Sequence, residues 1–428
     1  MSSTQEMVRA GEPVDLYYYD GETSKKQAFP VTQNTKYVQS FNNLTGGSSV
    51  FTIPPTNGIQ DVVCEFQMPA VAAPGTAALA GASLPRGWGY ALIKQVTFRY
   101  GGSSQYYLTG DQILQNALRR QPSRTTADDL FALGGSYATG TNVGSSGLDV
   151  PQYAAVVLTL PHNVPTAFGK SHPLPTDLLT QQVQVTVELN PINSVFNVAT
   201  GTAGLSIPTS LSFAQFQVQQ VMLNNQGDSL ARRVDMSVNA YAFPCEFVQQ
   251  VQRIDLANSS ASQSVVLTGF RSGEVKAIHC WLTLKTDTPA TPGVPGAINN
   301  PFNWYLPLSV IMTYAGDIYA RYEYASSPLW NLINGDKAPA FDNVGTADAG
   351  SGALTVSSVL QQWVELPFAQ THLDEDSHYT LVHGKPITNG IVNLQLQTPF
   401  ASAQWTLNVS YIYNATLLFS QGTCDYVF

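Results

Sequence analysis

The sequence has few charged residues, few cysteines and no long apolar segment. Charged residues make up 11% of its 428 residues, whereas about 25% is usual in globular proteins. The four cysteines lie far apart without a CxxC pair, which argues against a structural zinc site or a disulfide framework. Without about 18 consecutive apolar residues, no membrane-spanning helix is expected. The N-terminal stretch lacks the apolar core of a secretion signal, so we expect reduced, mostly buried thiols in a protein made in a cytoplasm.

The sequence also lacks clusters of positive charge. Its net charge is -9 and its isoelectric point is near 5.1, whereas nucleic-acid-binding surfaces present grouped Lys and Arg side chains. The basic pairs Arg119-Arg120 and Arg232-Arg233 are explained by helix ends and salt bridges. We therefore expect no direct binding of nucleic acid. A surface rich in uncharged polar residues suits a protein that buries much of its surface in contacts with other copies of the same chain.

Short strand-like runs fill most of the chain. Residues 36–69 contain KYVQSF, SSVFTIP and DVVCEFQMP, each rich in Val, Phe, Tyr or Ile and bounded by Asn, Gly or Pro. This pattern is typical of an antiparallel sandwich rather than of helical layers. Later runs such as QQVQVTVELN alternate apolar and polar residues with a period of two, as in half-buried strands.

One stretch, residues 89–120, combines three elements. Alternation over residues 93–100 predicts a strand, Gly101-Gly102 a tight turn, and Tyr106-Tyr107 a second strand. A helix is predicted to begin near Asp111, where a Thr or Asp side chain can cap its first turn. Tight turns often need positive φ, so we interpret Gly101 and Gly102 as structural turn residues rather than as a ligand-binding loop.

This stretch has a counterpart in the second half of the chain, near residues 306–333. Tyr100-Gly101-Gly102 aligns with Tyr314-Ala315-Gly316 at a shift of 214 residues, so Gly316 is also predicted to be a turn residue. Four further segment pairs follow in the same order, at shifts of 215, about 215, 206 and about 208. A nearly constant shift that drifts only across Gly-rich loops indicates a tandem duplication.

Each half holds about eight strands in roughly 190 residues, which favours an eight-stranded jelly roll. The immunoglobulin sandwich is the competitor, but it needs only about 100 residues and has no helix between its middle strands. The predicted fold is therefore all-β: two tandem eight-stranded antiparallel jelly rolls with short helices in the loops. We assign residues 1–35 to an N-terminal arm, 36–225 to the first jelly roll and 226–428 to the second.

The arm contains Tyr17, Tyr18 and Tyr19 in a polar segment without periodicity. One interpretation is a partly ordered arm, and the other is that the tyrosines are inter-subunit anchors that become ordered on a neighbouring subunit. Aromatic rings suit the second role because they bury much area at low entropic cost.

The sequence shows no convincing catalytic, cofactor or metal site. His378 and His383 lie in a polar cluster at 372–383, but strand positions five apart point to opposite faces, and a solvated loop explains the cluster better. His279 and Cys280 are adjacent in an apolar strand and alternate across the sheet, and a nucleophilic pair would also need an orienting group. No carboxylate pair lies on an inner strand, and no phosphate-binding loop is present.

Several motifs together resemble a known family. In chain order they are Leu92-Ile93-Lys94 before an apolar strand, the Gly101-Gly102 turn, Gly110 before a helix, Leu160-Pro161 before a Pro-rich connection and an alternating strand, EFVQQVQ at 246–252, PITNGIVNLQ at 386–395 and the closing YNATLLFSQGTCDYVF. No single motif is specific, but their order is similar to that of the double jelly-roll major capsid proteins of icosahedral double-stranded DNA viruses. These include the nucleocytoplasmic large DNA viruses and the adenovirus-hexon-like lineage.

The resemblance implies a structural protein of the virion rather than an enzyme. Members of that family form homotrimers that act as pseudo-hexagonal capsomers and tile an icosahedral shell. For this chain it implies self-association, contacts with neighbouring capsomers, and synthesis in a host cytoplasm. We expect the arm to contact minor capsid or membrane-associated proteins, and the loops at 121–150, 286–303 and 338–353 to cap the outer face. The alternative is a two-domain carbohydrate-binding or glycan-cleaving β-sandwich protein, which predicts a monomer or dimer.

Overall fold

The computed structural model describes the strands and most of their connections. The described residues are 31–70, 82–84, 87–101, 105–119, 133–135, 151–158, 160, 174–198, 207–223, 240–256, 262–284, 304–323, 363–368, 384–387, 391–399 and 404–428. Tyr17, Tyr18, Tyr19 and Gly102 lie outside these ranges, as do the histidine cluster and nearly all of the three loops expected to cap an outer face.

The described residues of the first half of the chain form ten strands. They are β1 (Val31–Ser40), β2 (Gly47–Ile53), β3 (Gly58–Met68), β4 (Ala82–Ser83), β5 (Ile93–Arg99), β6 (Gln105–Thr109), β7 (Gln152–Leu158), β8 (Val183–Leu189), β9 (Asn197–Val198) and β10 (Phe213–Leu223). Strand β1 begins at Val31, so the last residues of the segment assigned to the arm are strand. Short 3-10 helices lie at Thr176–Leu178 and Ile192–Val195.

In the second half, the part of the chain that the structure describes contains eleven strands. They are β11 (Tyr241–Val248), β12 (Gln252–Asp255), β13 (Ser262–Leu267), β14 (Glu274–Leu284), β15 (Ser309–Tyr314), β16 (Asp317–Glu323), β17 (Val364–Pro367), β18 (Lys385–Pro386), β19 (Val392–Gln397), β20 (Trp405–Ser420) and β21 (Thr423–Val427).

The two halves have the same sheet topology. In the first half, the antiparallel strand orders are β1-β10-β3-β7 and β2-β8-β5-β6. In the second, they are β11-β20-β14-β17 and β13-β19-β15-β16. Counting the eight main strands of each half in chain order, both halves read 1-8-3-6 and 2-7-4-5. Two four-stranded sheets connected in this way form a jelly roll, and the predicted double jelly roll is confirmed.

Alternation places one face of each strand in the core. In β8, Val183, Val185 and Val187 are buried, whereas Gln184 between them is exposed. The intervening side chains point away from the core because successive strand residues face opposite sides of a sheet. The hydrophobic alternation in the sequence therefore fixes which face of each sheet packs inward.

Strand register corrects two of the repeat alignments by one residue. The equivalent core pairs are Phe51 and Val265, Val185 and Leu394, and Phe98 and Met312. These pairs give shifts of 214 for β2 and β13 and of 209 for β8 and β19, instead of 215 and about 208. A slip of one residue moves a side chain to the opposite face of a sheet, so the burial pattern selects the corrected values.

Two α-helices flank β5 and β6. Helix α1 (Trp88–Leu92), which the sequence reasoning missed, lies immediately before β5, and all five of its residues are buried. Helix α2 (Gly110–Arg119) begins one residue before the predicted Asp111. A Cβ atom at Gly110 would lie 2.2 Å from the carbonyl oxygen of Tyr90, so only glycine fits where α2 packs against α1. No helix among the described residues is long and apolar enough to cross a bilayer.

Candidate functional site at the junction of the two jelly rolls

The β5–β6 turn of the first jelly roll lies against the second jelly roll. Tyr100 and Gly101 are both buried, and Gly101 has a φ of +56°, in the left-handed region. A Cβ atom at Gly101 would lie 3.2 Å from Cδ2 of Leu179 and 3.3 Å from the carbonyl oxygen of Gln181. The turn therefore needs glycine both for its backbone conformation and for close packing.

Aromatic side chains from both jelly rolls meet beside this turn. The ring of Tyr106 lies 5.3 Å from that of Phe247 and 6.1 Å from that of Tyr426. The rings of Tyr100 and Tyr426 are 6.4 Å apart. These separations are typical of favourable aromatic pairs. Burial raises the pKa of Tyr100 well above its ordinary value, and Cys424 and other nearby groups raise it further, as expected at a junction that excludes water.

A buried glutamine makes the polar contact at the junction. Gln112, in the first turn of α2, is 1% exposed. Its Nε2 donates to the carbonyl oxygen of Gln249 at 2.7 Å and to Oγ of Ser410 at 3.0 Å. Ser410 Oγ in turn donates to the same carbonyl oxygen at 2.9 Å. Because a buried amide costs free energy unless its hydrogen bonds are made, this network fixes the position of α2 on the second jelly roll.

The β20–β21 turn supplies a third contact. Gln421 and Gly422 both have positive φ, 51° and 78°, as in the two-residue turns that suit antiparallel hairpins. The carbonyl oxygen of Gly422 accepts hydrogen bonds from the backbone nitrogen of Thr180 at 2.9 Å and from its Oγ1 at 3.1 Å. A Cβ atom at Gly422 would lie 2.4 Å from Cγ2 of Thr180, so this turn packs directly on the first jelly roll.

An electrostatic interaction between Asp111 and Arg253 spans the junction as well. Asp111 is partly buried at the start of α2. Burial raises the pKa of this carboxyl to about 6, and the positive charge of Arg253 in β12 partly opposes the rise. The junction thus includes a carboxyl that titrates near neutral pH in the folded protein.

The equivalent end of the second jelly roll is exposed. Its turn consists of Ala315 and Gly316, with φ of 53° and 97°, and no atom lies within 4 Å of where a Cβ of Gly316 would be. Ile318, just beyond the turn, is 66% exposed. Lys385 Nζ lies 4.2 Å from the ring centre of the half-buried Tyr319. We call residues 315–319 the open end of the second jelly roll.

Of the residues considered for chemistry, the structure describes His279 and Cys280, and these two do not have the geometry of a catalytic pair. His279 and Cys280 point to opposite faces of β14, and both are buried. His279 Nε2 lies 3.1 Å from a carboxylate oxygen of Glu365, and burial raises the pKa of Cys280 to about 12, so this thiol is a poor nucleophile. Among the described residues, no group of three His, Cys, Asp or Glu side chains could hold a metal ion. All four cysteines are buried.

The sequence reasoning found one side of the junction and missed the other. It singled out Tyr100, Gly101 and the start of α2, and it quoted the segments that contain Phe247, Gln249 and Tyr426 as motifs without predicting that they pack against this turn. Two signals were present. Gln421-Gly422 between two apolar runs is typical of a hairpin turn, and Ala28-Phe29-Pro30 recurs as Ala242-Phe243-Pro244 at the same shift of 214. In the second half this tripeptide lies within β11, and in the first half it directly precedes β1 in the sequence.

Solved structures share this architecture across nearly the whole chain. A chain of the PBCV-1 virus capsid matches with a TM-score of 0.61 and 13% identity, covering 94% of this chain and 99% of that one. The Faustovirus major capsid protein matches with 0.57 and 12%, covering 91% of each chain. A chain of the Sputnik virophage matches with 0.55 and 9%, covering 93% of this chain and 89% of that one.

The sequence itself gives no closer match. No protein-family model matches the chain, and no curated protein sequence matches it. At 9 to 13% identity the comparison is one of fold, and it agrees with the resemblance that the sequence motifs indicated. The chain has the double jelly-roll fold found in these viral capsid structures.

Proposed function

We propose that this protein is a viral major capsid protein with a structural role, located in the capsid shell of the virion. The observation that carries the proposal is that one strand order occurs twice in a single chain, in the fold of viral capsid proteins. Such a protein functions through the surface that it buries against copies of itself. An acidic chain with only 11% charged residues suits this role because fewer charges must be desolvated at the contacts.

The duplicated fold provides a physical reason for a homotrimer. Three copies of two similar units present six similar edges, so a ring of three chains approximates a hexagon and can tile an icosahedral shell. We propose that residues 1–35, 36–225 and 226–428 act as an arm and two jelly rolls. The arm would contact minor capsid or membrane-associated proteins, and the long loops would cap the outer face. No catalytic role and no direct contact with nucleic acid are part of this proposal.

Light scattering coupled to size-exclusion chromatography tests the proposal. At micromolar concentration we expect one species of about three times the 46.2 kDa chain mass, with a nearly hexagonal outline in negative-stain images. A stable monomer that binds or cleaves a glycan would instead favour the two-domain carbohydrate-active alternative and would overturn the capsid proposal.

A further inference from the structure

A buried ion pair lies on one face of a sheet in the second jelly roll. Lys276 in β14 and Glu246 in β11 are 5% and 6% exposed, and Nζ of the lysine lies 2.7 Å from Oε1 of the glutamate. Burying both charges costs free energy that their mutual attraction only partly returns. The pair therefore adds little stability by itself, and its burial points to another role.

A third polar residue, Asn414, is placed between the two charged ones. It lies in β20, which pairs with β11 on one side and with β14 on the other. Asn414 is directly opposite Glu246 in the β11–β20 ladder, so their side chains share one face of the sheet. Because Lys276 contacts Glu246, the lysine side chain lies on that face as well.

The strand geometry brings the lysine amine to the asparagine. Neighbouring strands lie about 5 Å apart, so β11 and β14 are separated by about 10 Å and Lys276 reaches Glu246 only by extending across β20. On the β14 side, Glu274 pairs with Asn414, and Lys276 follows two residues later at a break in the register. Since Glu246 is level with Asn414, the lysine side chain runs toward Asn414 as it crosses β20.

Apolar side chains flank this polar row. On the same face, Val248 in β11, Ile412 in β20 and Ala277 in β14 form the next row across the three strands, and all three are buried. Apolar surroundings penalise charge, so a reaction that removes the buried charges is favoured there. Asn414 itself is half-buried, which leaves a small leaving group a path to solvent.

We propose that Lys276 and Asn414 join in an isopeptide bond, in a single reaction within the folded chain for which Glu246 transfers the protons. Glu246 takes a proton from Nζ, and the neutral amine attacks Cγ of Asn414. The protonated Glu246 gives its proton to the amide nitrogen of Asn414 and takes a second proton from Nζ. The Cγ–Nδ2 bond breaks, ammonia leaves, and the new Nζ–Cγ bond remains. The reaction needs no oxidant and no further reactant.

Such a bond would link two neighbouring strands, β14 and β20, in the middle of their sheet. The chain between them, which contains β15 to β19, would become a closed loop. A cross-link of this kind restricts the unfolded chain, as a disulfide does, so the second jelly roll would resist unfolding. This inference does not depend on the proposed homotrimer or on the proposed function.

Mass spectrometry of the intact protein tests the reaction. We expect the purified wild type to be lighter than its sequence requires by one molecule of ammonia. Glu246→Gln should have the full mass, because the group that transfers the protons is lost. Glu274→Gln is the matched control, since Glu274 pairs with Asn414 from the other side and its carboxylate accepts the backbone N–H of Gly384. This control should still lack one molecule of ammonia.

Lys276→Arg distinguishes the cross-link from any other loss of ammonia. Arginine keeps a positive charge beside Glu246, but a guanidinium does not attack an amide, so this variant should have the full mass and the circular dichroism spectrum of the wild type. Asn414→Ala should also have the full mass. In the wild type, trypsin should not cleave after Lys276, and the denatured chain should migrate faster on a gel than either variant. A wild type of full mass, or a Lys276→Arg variant that still lacks ammonia, would overturn the inference.

Discussion

Two equivalent turns in this molecule have nearly the same backbone but opposite surroundings. Gly101 in the first jelly roll has a φ of +56° and is buried at the junction, whereas Ala315 in the second has a φ of +53° and is exposed. A Cβ at Gly101 would meet Leu179 at 3.2 Å. The local hairpin sets the backbone of both turns, but only Gly101 also packs closely against another segment, residues 179–181 of the same jelly roll.

This difference shows that the two copies of a duplicated fold have different surroundings within one chain. In the present chain, one end contacts the second jelly roll of the same chain through Tyr106 and Gln112. At the open end of the second jelly roll, Ile318 is exposed and the turn has space for a side chain at Gly316. Substitutions at the two ends should therefore differ in effect even where their backbones match.

The largest difference in the cost to stability is expected between the substitutions Gly422→Ala and Gly316→Ala. Gly422→Ala places a Cβ 2.4 Å from Cγ2 of Thr180 at a φ of +78°, and overpacking together with backbone strain should cost about 3 kcal/mol. Gly316→Ala at the open end meets no atom within 4 Å and should cost only the strain, about 1–2 kcal/mol. Urea unfolding at fixed protein concentration measures both values.

The cost at Gly422 should depend on one methyl group. Thr180→Ser removes Cγ2 but keeps the hydroxyl that donates to Gly422. In that background the remaining Thr180 atoms lie at 3.4 Å from the added Cβ, so the cost of Gly422→Ala should fall to about 1 kcal/mol of strain. An unchanged cost in the serine background would show that Thr180 does not pack against the turn.

A smaller effect is expected from the titration of Asp111 at the junction. Its pKa is raised from 3.8 to about 6 in the folded protein, so the folded state favours the protonated form. This contribution to stability is complete below about pH 4 and is lost as the pH rises through 6. Asp111→Asn should therefore raise the free energy of unfolding at pH 7.5 by about 1–2 kcal/mol, allowing for partial exposure, and by much less at pH 4.

The comparison of wild type with Asp111→Asn isolates this group from the other carboxyls. The difference in unfolding free energy between the two proteins, measured from pH 4 to pH 7.5, should grow with pH and level off above 7. A difference in unfolding free energy that stays constant over this range would mean that Asp111 has an ordinary pKa. Water would then reach this carboxyl despite the packing around it.

The sequence predicted the fold well because strand alternation and turn residues are local signals. The run from Ile93 to Tyr100, the helix near Asp111 and the strand at 183–189 all appear where they were expected. The fold class followed from the number of strands and from the repeat. Alignment of apolar runs alone missed the register of β2 with β13 by one residue, because both alignments bring apolar residues together and only burial distinguishes the two faces.

The junction was only half predictable, for a physical reason. Tyr106 and Tyr100 belong to a local hairpin, whereas their partners Phe247 and Tyr426 lie more than 140 and 320 residues away. Helix α2 buries Gln112, Gln115 and Asn116, polar residues that a simple apolar-face rule assigns to solvent. A buried polar helix face indicates a specific partner, but nothing local to the helix names it.

The smallest expected effect comes from exchanging the residues at the two equivalent positions. Ala315→Gly removes the left-handed strain of alanine but increases the entropy of the unfolded chain, so we expect a net gain of about 0.5 kcal/mol. Gly101→Ala adds that strain and a tight contact with Leu179, so we expect a loss of about 1 kcal/mol. The two substitutions are reciprocal in chemistry and occur at nearly equal φ, so their backbone effects should nearly cancel. Any decrease in the free energy of unfolding that remains in the double variant then measures the packing around Gly101 alone. If urea unfolding shows no change for the double variant, the Leu179 side chain moves away from the added methyl group without a free-energy cost.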